Sequence, residues 1–279
     1  MSTQKVWLIT GASKGFGLIL AKQLLEKGDF VAATSRNKSD LETVISAKST
    51  QFLPLEMNLT DEANVKKAID ETVATFGKID NIINNAGYGL LGAVEELSDA
   101  ETRQNFDVNV FGSLNVIRQA LPHLRQQKSG HIFNISSIGG YSGDFPGFGI
   151  YCATKFAVIG FSEAMAIELK DFGINVTAVL PGYFRTNFLT SGSLSTPKHP
   201  LDDYKSTRES QELHQQQINN NQPGDPEKGA AAIIQMAAEE NPPVHLFLGS
   251  DAFGLAKNKA ENIVKGLEQW KSVTVNTDF

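Results

Sequence analysis

The chain has 279 residues, 41% hydrophobic and 20% charged, a balance that supports a packed core and excludes a disordered polypeptide. Acidic residues outnumber basic ones 31 to 25, for a net charge of −6, which argues against a broad nucleic-acid-binding surface. One cysteine, Cys152, excludes an internal disulfide. No apolar run approaches bilayer length and residues 1–5 carry no leader-like segment, so the expectation is a cytoplasmic protein with no membrane partner.

The N-terminal half alternates two hydrophobic periods. Residues 5–10 (KVWLIT) form a short, continuous apolar run, as a strand buried on both faces requires. A glycine-bearing turn leads to a predicted helix over 17–27 with Leu18, Ala21, Leu24 and Leu25 on one face, stopped by Gly28. Strands are predicted at 30–35 and 51–57, with a short helix at 39–47 between them. Thr60 is the expected cap of the next helix, whose stripe is Val65, Ile69, Val73 and Phe76 and whose end is Gly77. Strand four follows at 79–84. Ser98 and Glu101 have capping-box spacing and open one long helix to about 127, with Pro122 expected to kink its last turns.

A strand at 131–135, a helix at 151–172 and a strand at 174–180 continue the pattern. From 186 to 226 the chain is rich in Ser, Thr, Asn, Gln and Pro, and a segment of that length inside a compact domain points to a functional insertion. Residues 191–226 are expected to cover a ligand pocket. A helix over 226–240, a seventh strand over 244–248 and a helix capped by Ser250 and ending near 270 complete the sheet. The expected architecture is α/β: a Rossmann-type, doubly wound seven-stranded parallel sheet with helices on both faces, one domain over 1–279.

Thr10-Gly11-Ala12-Ser13-Lys14-Gly15-Phe16-Gly17 joins the first strand to the first helix. Glycine there permits a sharp turn and close approach to a pyrophosphate, and the helix end offers free N–H groups. The spacing is TGxxxGxG, neither GxGxxG nor GxxxxGK[ST]; tight packing of strand on helix is the competing explanation. The end of the second strand borders the same crevice, where a carboxylate would hold the ribose hydroxyls. Ser35-Arg36 stands there with no acid before Asp40, and Lys14 is a second cation in reach. Two positive charges without a carboxylate favour a 2′-phosphate, hence NADP(H) over NAD; a solvated surface role for Arg36 is the alternative.

Further motifs stand at later strand ends: Asn84-Asn85-Ala86-Gly87, Ser136-Ser137, Tyr151-x-x-x-Lys155 and Pro181-Gly182. With the TGxxxGxG turn, in this order, they make the sequence resemble the short-chain dehydrogenase/reductase family from about residue 5 to 186. Residues four apart on a helix share a face, so Tyr151 and Lys155 can act on one molecule. A Lys155 ammonium, together with an oxidised nicotinamide ring, would lower the phenol pKa, and Ser137 would bond the oxygen on which charge develops. The resemblance implies Tyr151 as acid in reduction and base in oxidation, Lys155 also holding the nicotinamide ribose, and Asn109 placing a water behind the lysine. An interior polar role bonded to backbone competes for Asn109.

The resemblance further implies Gly11, Ser13, Lys14, Gly15, Phe16 and Gly17 at the pyrophosphate. Ser35, Arg36, Asn58, Leu59, Asn85, Ala86 and Gly87 would stand toward the adenosine, and Pro181, Gly182, Phe184 and Thr186 at the nicotinamide. Asn84 and Gly87 serve sheet architecture on the same reading. Asn58 departs from the family's usual Asp, but its side-chain oxygen can still accept from an adenine amino group. The five histidines show no ligand spacing, so no metal is expected. Cys152 reads as a small filler. Phe145, Phe148, Phe184 and Phe188 form either plain core or an apolar substrate wall.

The expected function is hydride transfer between NADP(H) and a hydrophobic carbonyl or alcohol, running as an NADPH-dependent ketone or aldehyde reductase. The resemblance implies a homodimer or homotetramer. An NADP-sensing protein without turnover is the rival from another class, and a sugar-nucleotide epimerase, with glycines spaced TGxxGxxG, fits poorly.

Overall fold

Continuous apolar runs bury the central strands on both faces, because successive side chains point to opposite sides of the sheet. The computed structural model describes residues 4–45, 50–190 and 192–279. Its strands are Val6–Ile9 (β1), Phe30–Ser35 (β2), Phe52–Glu56 (β3), Asn81–Asn84 (β4), Gly89–Leu90 (β5), Gly130–Ile135 (β6), Ile174–Pro181 (β7), Leu194–Ser195 (β8) and His245–Leu248 (β9). Seven of them form one sheet in the order β3-β2-β1-β4-β6-β7-β9, every pair parallel, while β5 and β8 make a small sheet of their own. Chain direction across the sheet reverses between β1 and β4, so a crevice opens beyond the carboxyl ends of those strands.

The helices are Gly15–Glu26 (α1), Lys38–Val44 (α2), Glu62–Phe76 (α3), Asp99–Phe106 (α4), Gly112–Gln127 (α5), Gly149–Glu168 (α6), Lys205–Glu212 (α7), Pro226–Met236 (α8), Ser250–Gln269 (α9) and Lys271–Val275 (α10). Leu8, Ile82, Ile132 and Val176 pack on Val65, Ile69, Val116, Leu124 and Met165 of α3, α5 and α6. Trp7, Ile9, Val31, Phe133 and Val179 pack on Leu20, Leu24, Ala230 and Ile233 of α1 and α8. The doubly wound architecture is therefore as expected. On α1 the buried face is Gly17, Leu20, Ala21 and Leu24, with Leu18 and Leu25 only half-buried at its edge.

Several ends differ from expectation. Asp61, not Thr60, caps α3, accepting from the backbone N–H of Ala63 and Asn64, because a carboxylate is the stronger acceptor beside the helix dipole. Gly249, at φ +101°, precedes α9 and leaves Ser250 as its first helical residue. The capping box of Ser98 and Glu101 forms on α4. The single long helix expected after it is interrupted upstream of the proline: a π turn, Asp107–Phe111, separates α4 from α5, and α5 then runs through Pro122. The predicted helix at 39–47 is helical over Lys38–Val44, and residues 46 and 47 lie outside the described part. The helix predicted to reach 240 ends at Met236.

By length and composition α6 alone among the described helices could cross a bilayer, contrary to the expectation that no segment approaches this. It lies against β7 and buries Tyr151, Thr154, Lys155 and Ser162, so its apolar content serves the interior.

The insertion is ordered by hydrogen bonds more than by a core. It holds a short 3₁₀ turn at Asn187–Leu189, then β8, then α7 running into a π turn at Leu213–Ile218. Glu96, whose side chain is fully buried, accepts from Arg208 at 2.7 and 2.8 Å, from Ala93 N at 2.7 Å and from Leu201 N at 2.7 Å. Tyr204 bonds Glu95, and Lys198 N donates to Glu101. Residue 191, the expected start of the covering segment, lies outside the described residues.

Candidate functional site

A cavity of about 790 Å³ runs along the crevice from the glycine turn to the insertion. Of the residues named from sequence, Gly11, Ser13, Lys14, Gly15, Phe16, Ser35, Arg36, Asn58, Leu59, Asn85, Ala86, Gly87, Ser137, Tyr151, Lys155, Pro181, Gly182, Phe184 and Thr186 line it. Gly17 and Asn109 do not, and both stand behind the wall.

Backbone geometry explains the glycine turn. Gly11 has φ +64°, and a Cβ there would lie 2.8 Å from Ala86 Cα; Gly15 has φ +57°. A Cβ on Gly17 would stand 2.6 Å from Gly11 O, so this glycine closes the packing of α1 on the turn. Asn85 clamps the same turn: its Nδ2 donates to Thr10 O and Gly11 O at 2.9 Å each, while Asn85 N and Ala86 N donate to Thr10 Oγ1 at 3.0 Å. Asn84 Nδ2 donates to Asn134 Oδ1 at 2.8 Å, the sheet role expected for it.

The start of α1 has no side-chain cap and no acid in its first turn, so its N–H groups and partial positive charge face the crevice unopposed. That arrangement fits a pyrophosphate. Lys14 is desolvated and close enough to Arg36 that both effects hold its pKa below the ordinary lysine value. Its Nζ donates to Gly192 O of the insertion at 2.6 Å. Asp40 also lines this end, so the cations have one acid near them. Asn58 Oδ1 already accepts from Thr60 N at 3.2 Å and Thr60 Oγ1 at 2.9 Å, which leaves its amide N–H₂ as the free edge.

At the other end, Tyr151 and Lys155 share a face of α6, with Nζ 5.8 Å from the phenol ring centroid. Ser137 lines the cavity with Tyr151, and its Oγ accepts from Gly139 N at 3.0 Å. Burial pushes the Tyr151 pKa above the usual phenol value, with the nearby Ser137 hydroxyl opposing it. Lys155 is itself desolvated, down to about 8, and its Nζ is spent on Ile135 O at 2.8 Å rather than on the phenol. A phenol held neutral is a proton donor.

Asn109 sits on the π turn, 1% exposed. Its Nδ2 donates to Tyr88 O at 3.0 Å and Thr154 Oγ1 at 3.1 Å, and its Oδ1 accepts from Tyr88 N at 3.0 Å. Its side chain thus fastens the loop after β4 to α6, and a Cβ on Gly87 would lie 3.0 Å from Asn109 Oδ1. Phe148 packs with Tyr151, Cys152, Leu189 and Leu194, and Phe145 and Phe188 lean on that cluster, forming an apolar wall. Phe184 belongs elsewhere, edge-on to Phe16 at 5.0 Å under the glycine turn. Cys152 is buried with its thiol raised to about 11, as a filler should be.

Among the described residues no cluster of potential metal ligands occurs. His131 is interior, its Nε2 2.9 Å from Thr177 Oγ1 and its pKa pulled down to about 3 by burial. Sequence reasoning missed Tyr183, His214 and Gln222, all of which line the cavity. Tyr183 follows Pro181-Gly182 directly, which was an available signal; the other two lie in the insertion, where nothing in the pattern marks them.

The family model described as short chain dehydrogenase matches residues 5–195. Oxidoreductase BOA17 of Botryotinia fuckeliana is 35% identical over 272 residues, covering 97% of this chain and 98% of the relative. The 3-ketodihydrosphingosine reductase of Bacteroides thetaiotaomicron is 37% identical over 247 residues, 88% of each chain. The crystal structure of a short-chain dehydrogenase from Streptomyces avermitilis superposes with a TM-score of 0.91 at 35% identity, covering 99% of this chain and 100% of that one. ElxO with NADP bound has a TM-score of 0.74 at 29% identity, covering 90% of this chain and 100% of that one. The 3-ketoacyl-(acyl-carrier-protein) reductase from Brucella melitensis complexed with NADH has a TM-score of 0.73 at 28% identity, covering 88% and 96%. Sheet order, the glycine turn against Asn85-Ala86, the Ser137–Tyr151–Lys155 cluster and these similarities agree: this chain is an oxidoreductase of the short-chain dehydrogenase/reductase family.

Proposed function

We propose that this protein reduces a ketone or aldehyde with NADPH. The observation that carries the reading is the buried phenol of Tyr151, which with Ser137 lines the same cavity as the uncapped start of α1. Pro181 and Gly182 would hold a nicotinamide, which in its reduced form would supply the hydride for the carbonyl carbon. Ser137 and Tyr151 hold the carbonyl oxygen, and Tyr151 passes its proton to that oxygen as negative charge develops there, giving the alcohol. Lys155 holds the nicotinamide ribose and keeps positive charge near the phenol that has lost its proton. Asn109 positions Lys155 by tying α6 to the loop after β4, and its place at the break between α4 and α5 supports that part.

Arg36 and Lys14 at the ribose end support NADPH over NADH, through charge-assisted bonds to a 2′-phosphate. Solved relatives carry either cofactor, so the preference rests on these two residues. Relatives named for 3-ketodihydrosphingosine and for 3-oxoacyl-[acyl-carrier-protein] support a keto group as the reducible function, and the wall of Phe145, Phe148 and Phe188 supports an apolar substrate body. Exposed Phe111, Phe156 and Ile167 support pairing through the long helices into a homodimer or homotetramer.

The test is NADPH consumption with a panel of apolar ketones and aldehydes. Turnover is expected, and Tyr151→Phe is expected to lower kcat by about a thousandfold while cofactor Kd stays within a few fold. Full activity in that variant overturns the assignment. An unconverted panel with tight NADPH binding would favour the cofactor-sensing alternative.

A further inference from the structure

Beside the Ser137–Tyr151 pair the cavity presents polar groups that carbonyl reduction does not use. Tyr183 Oη lies 2.8 Å from His214 Nε2, and His214 Nδ1 lies 2.7 Å from Ser210 O. A backbone carbonyl only accepts, so Nδ1 carries the proton and donates. Burial holds the ring below the ordinary histidine pKa, hence neutral, and Nε2 accepts the phenol proton of Tyr183. The hydroxyl of Tyr183 therefore turns its lone pairs, not its proton, to any ligand. The ring that fixes this is 5% exposed and stacks beside Phe148 with centroids 4.8 Å apart.

Gln222 is the second group. It lines the same cavity at 2% exposure, and only its backbone oxygen is engaged, accepting from Arg185 Nη2 at 3.1 Å. Its side-chain Oε1 is buried without a partner among the described residues. An unsatisfied buried amide costs about 1–3 kcal/mol, a cost that a suitable ligand removes.

Together these groups select a ligand type. A carboxylate would meet the lone pairs of Tyr183 and the nearby charge of Asp251, which itself accepts from Tyr183 N at 2.6 Å. A second carbonyl could not bond Tyr183. A hydroxyl suits the pair: its one proton goes to Tyr183 Oη while its oxygen accepts from the Gln222 N–H₂, or the proton goes to Gln222 Oε1 instead.

We propose that Tyr183, oriented by His214, and Gln222 form a second polar subsite that binds a hydroxyl group of the substrate. The substrate is then an apolar hydroxy-carbonyl compound, its hydroxyl near the reacting carbon, because Phe148 packs between the two groups, its ring 4.8 Å from His214 and 6.1 Å from Tyr151. This rests on the carbonyl-reductase reading above and adds the substrate class to it.

Matched pairs test it: a β-hydroxy ketone against the plain ketone of equal chain length, each with NADPH and the full-length protein. The wild type is expected to favour the hydroxy ketone in kcat/KM by at least about tenfold, mostly through KM, as sites built to bond a hydroxyl do. Tyr183→Phe and Gln222→Leu should each erase most of that preference, with NADPH binding and melting temperature showing that the variants fold. The preference ratio is a readout that mere structural support would not move. Reduction of both ketones with no preference, or a preference untouched in both variants, overturns the subsite alone. Reduction of neither ketone overturns the carbonyl-reductase reading and this inference with it.

Discussion

The two ends of the cavity are held by different physics. At the glycine turn, backbone meets backbone: Gly11 against Ala86, Asn85 on the carbonyls of residues 10 and 11, all resting on strands buried on both faces. At the insertion, side chains do the holding, with Glu96 receiving four hydrogen bonds and Glu95 and Glu101 one contact each from the 198–208 stretch. The first kind of site cannot be loosened without disturbing the sheet. The second can be re-cut by a few side chains while the sheet stays intact. A fixed cofactor end and an adjustable substrate end are what one scaffold needs in order to serve many substrates.

The largest break in this contrast should come from Glu96→Ala. It strands Arg208 and two backbone N–H groups, a loss on the order of 3 kcal/mol, borne by the insertion. Limited proteolysis is expected to cut the 196–222 region faster and substrate KM to rise, while NADPH affinity holds within a few fold. Equal loss at both ends would show the two to be one cooperative unit.

Next in size is Arg36→Asp, expected to shift preference from NADPH toward NADH by about 10–100-fold, with substrate KM unchanged, read from kcat/KM for each cofactor. Unaltered selectivity would move the discrimination to Lys14.

The pH dependence sharpens the junction between the ends. Lys155 titrates near 8 in the folded protein and near 10.5 when solvated, so its charge is present below about 8 and lost above it. Free-enzyme kcat/KM should therefore fall as pH rises through about 8. Stability should move the other way. The unfolded chain binds the extra proton between about 8 and 10.5, so folding is penalised at neutral pH and the penalty fades as pH climbs through that window. Melting temperatures of the wild type and Lys155→Met, compared across the window, check this: the variant starts more stable and the gap closes.

The smallest effect belongs to Asp61→Ala, the cap of α3 away from the cavity. It should cost about 1 kcal/mol by denaturant unfolding and leave kinetics untouched.

What could be foreseen from sequence follows the same division. Glycine at 11 and 15 is required by positive φ, and strands buried on both faces announce themselves as apolar runs, so the sheet and the glycine turn were legible residue by residue. Tyr151 and Lys155 were legible because helical spacing fixes their shared face. Tyr183, His214 and Gln222 meet through tertiary folding of a polar segment that has no period, and so nothing local betrays them. The π turn at 107–111 escaped for another reason: its residues include no glycine or proline to mark a break, and only the bonds of Asn109 to Tyr88 and Thr154 point to the widened coil there. Helical spacing puts Lys155 on the face of Tyr151 but cannot show where its amine bonds: Nζ donates to Ile135 O.

The near-collision of position 11 with Ala86 carries a lesson for anyone building chimeras. With no room for a methyl group between them, the first bend and the segment after the fourth strand behave as a lock and its key. A transplant of one from a relative must bring the other along, though some seventy residues of untouched scaffold lie between.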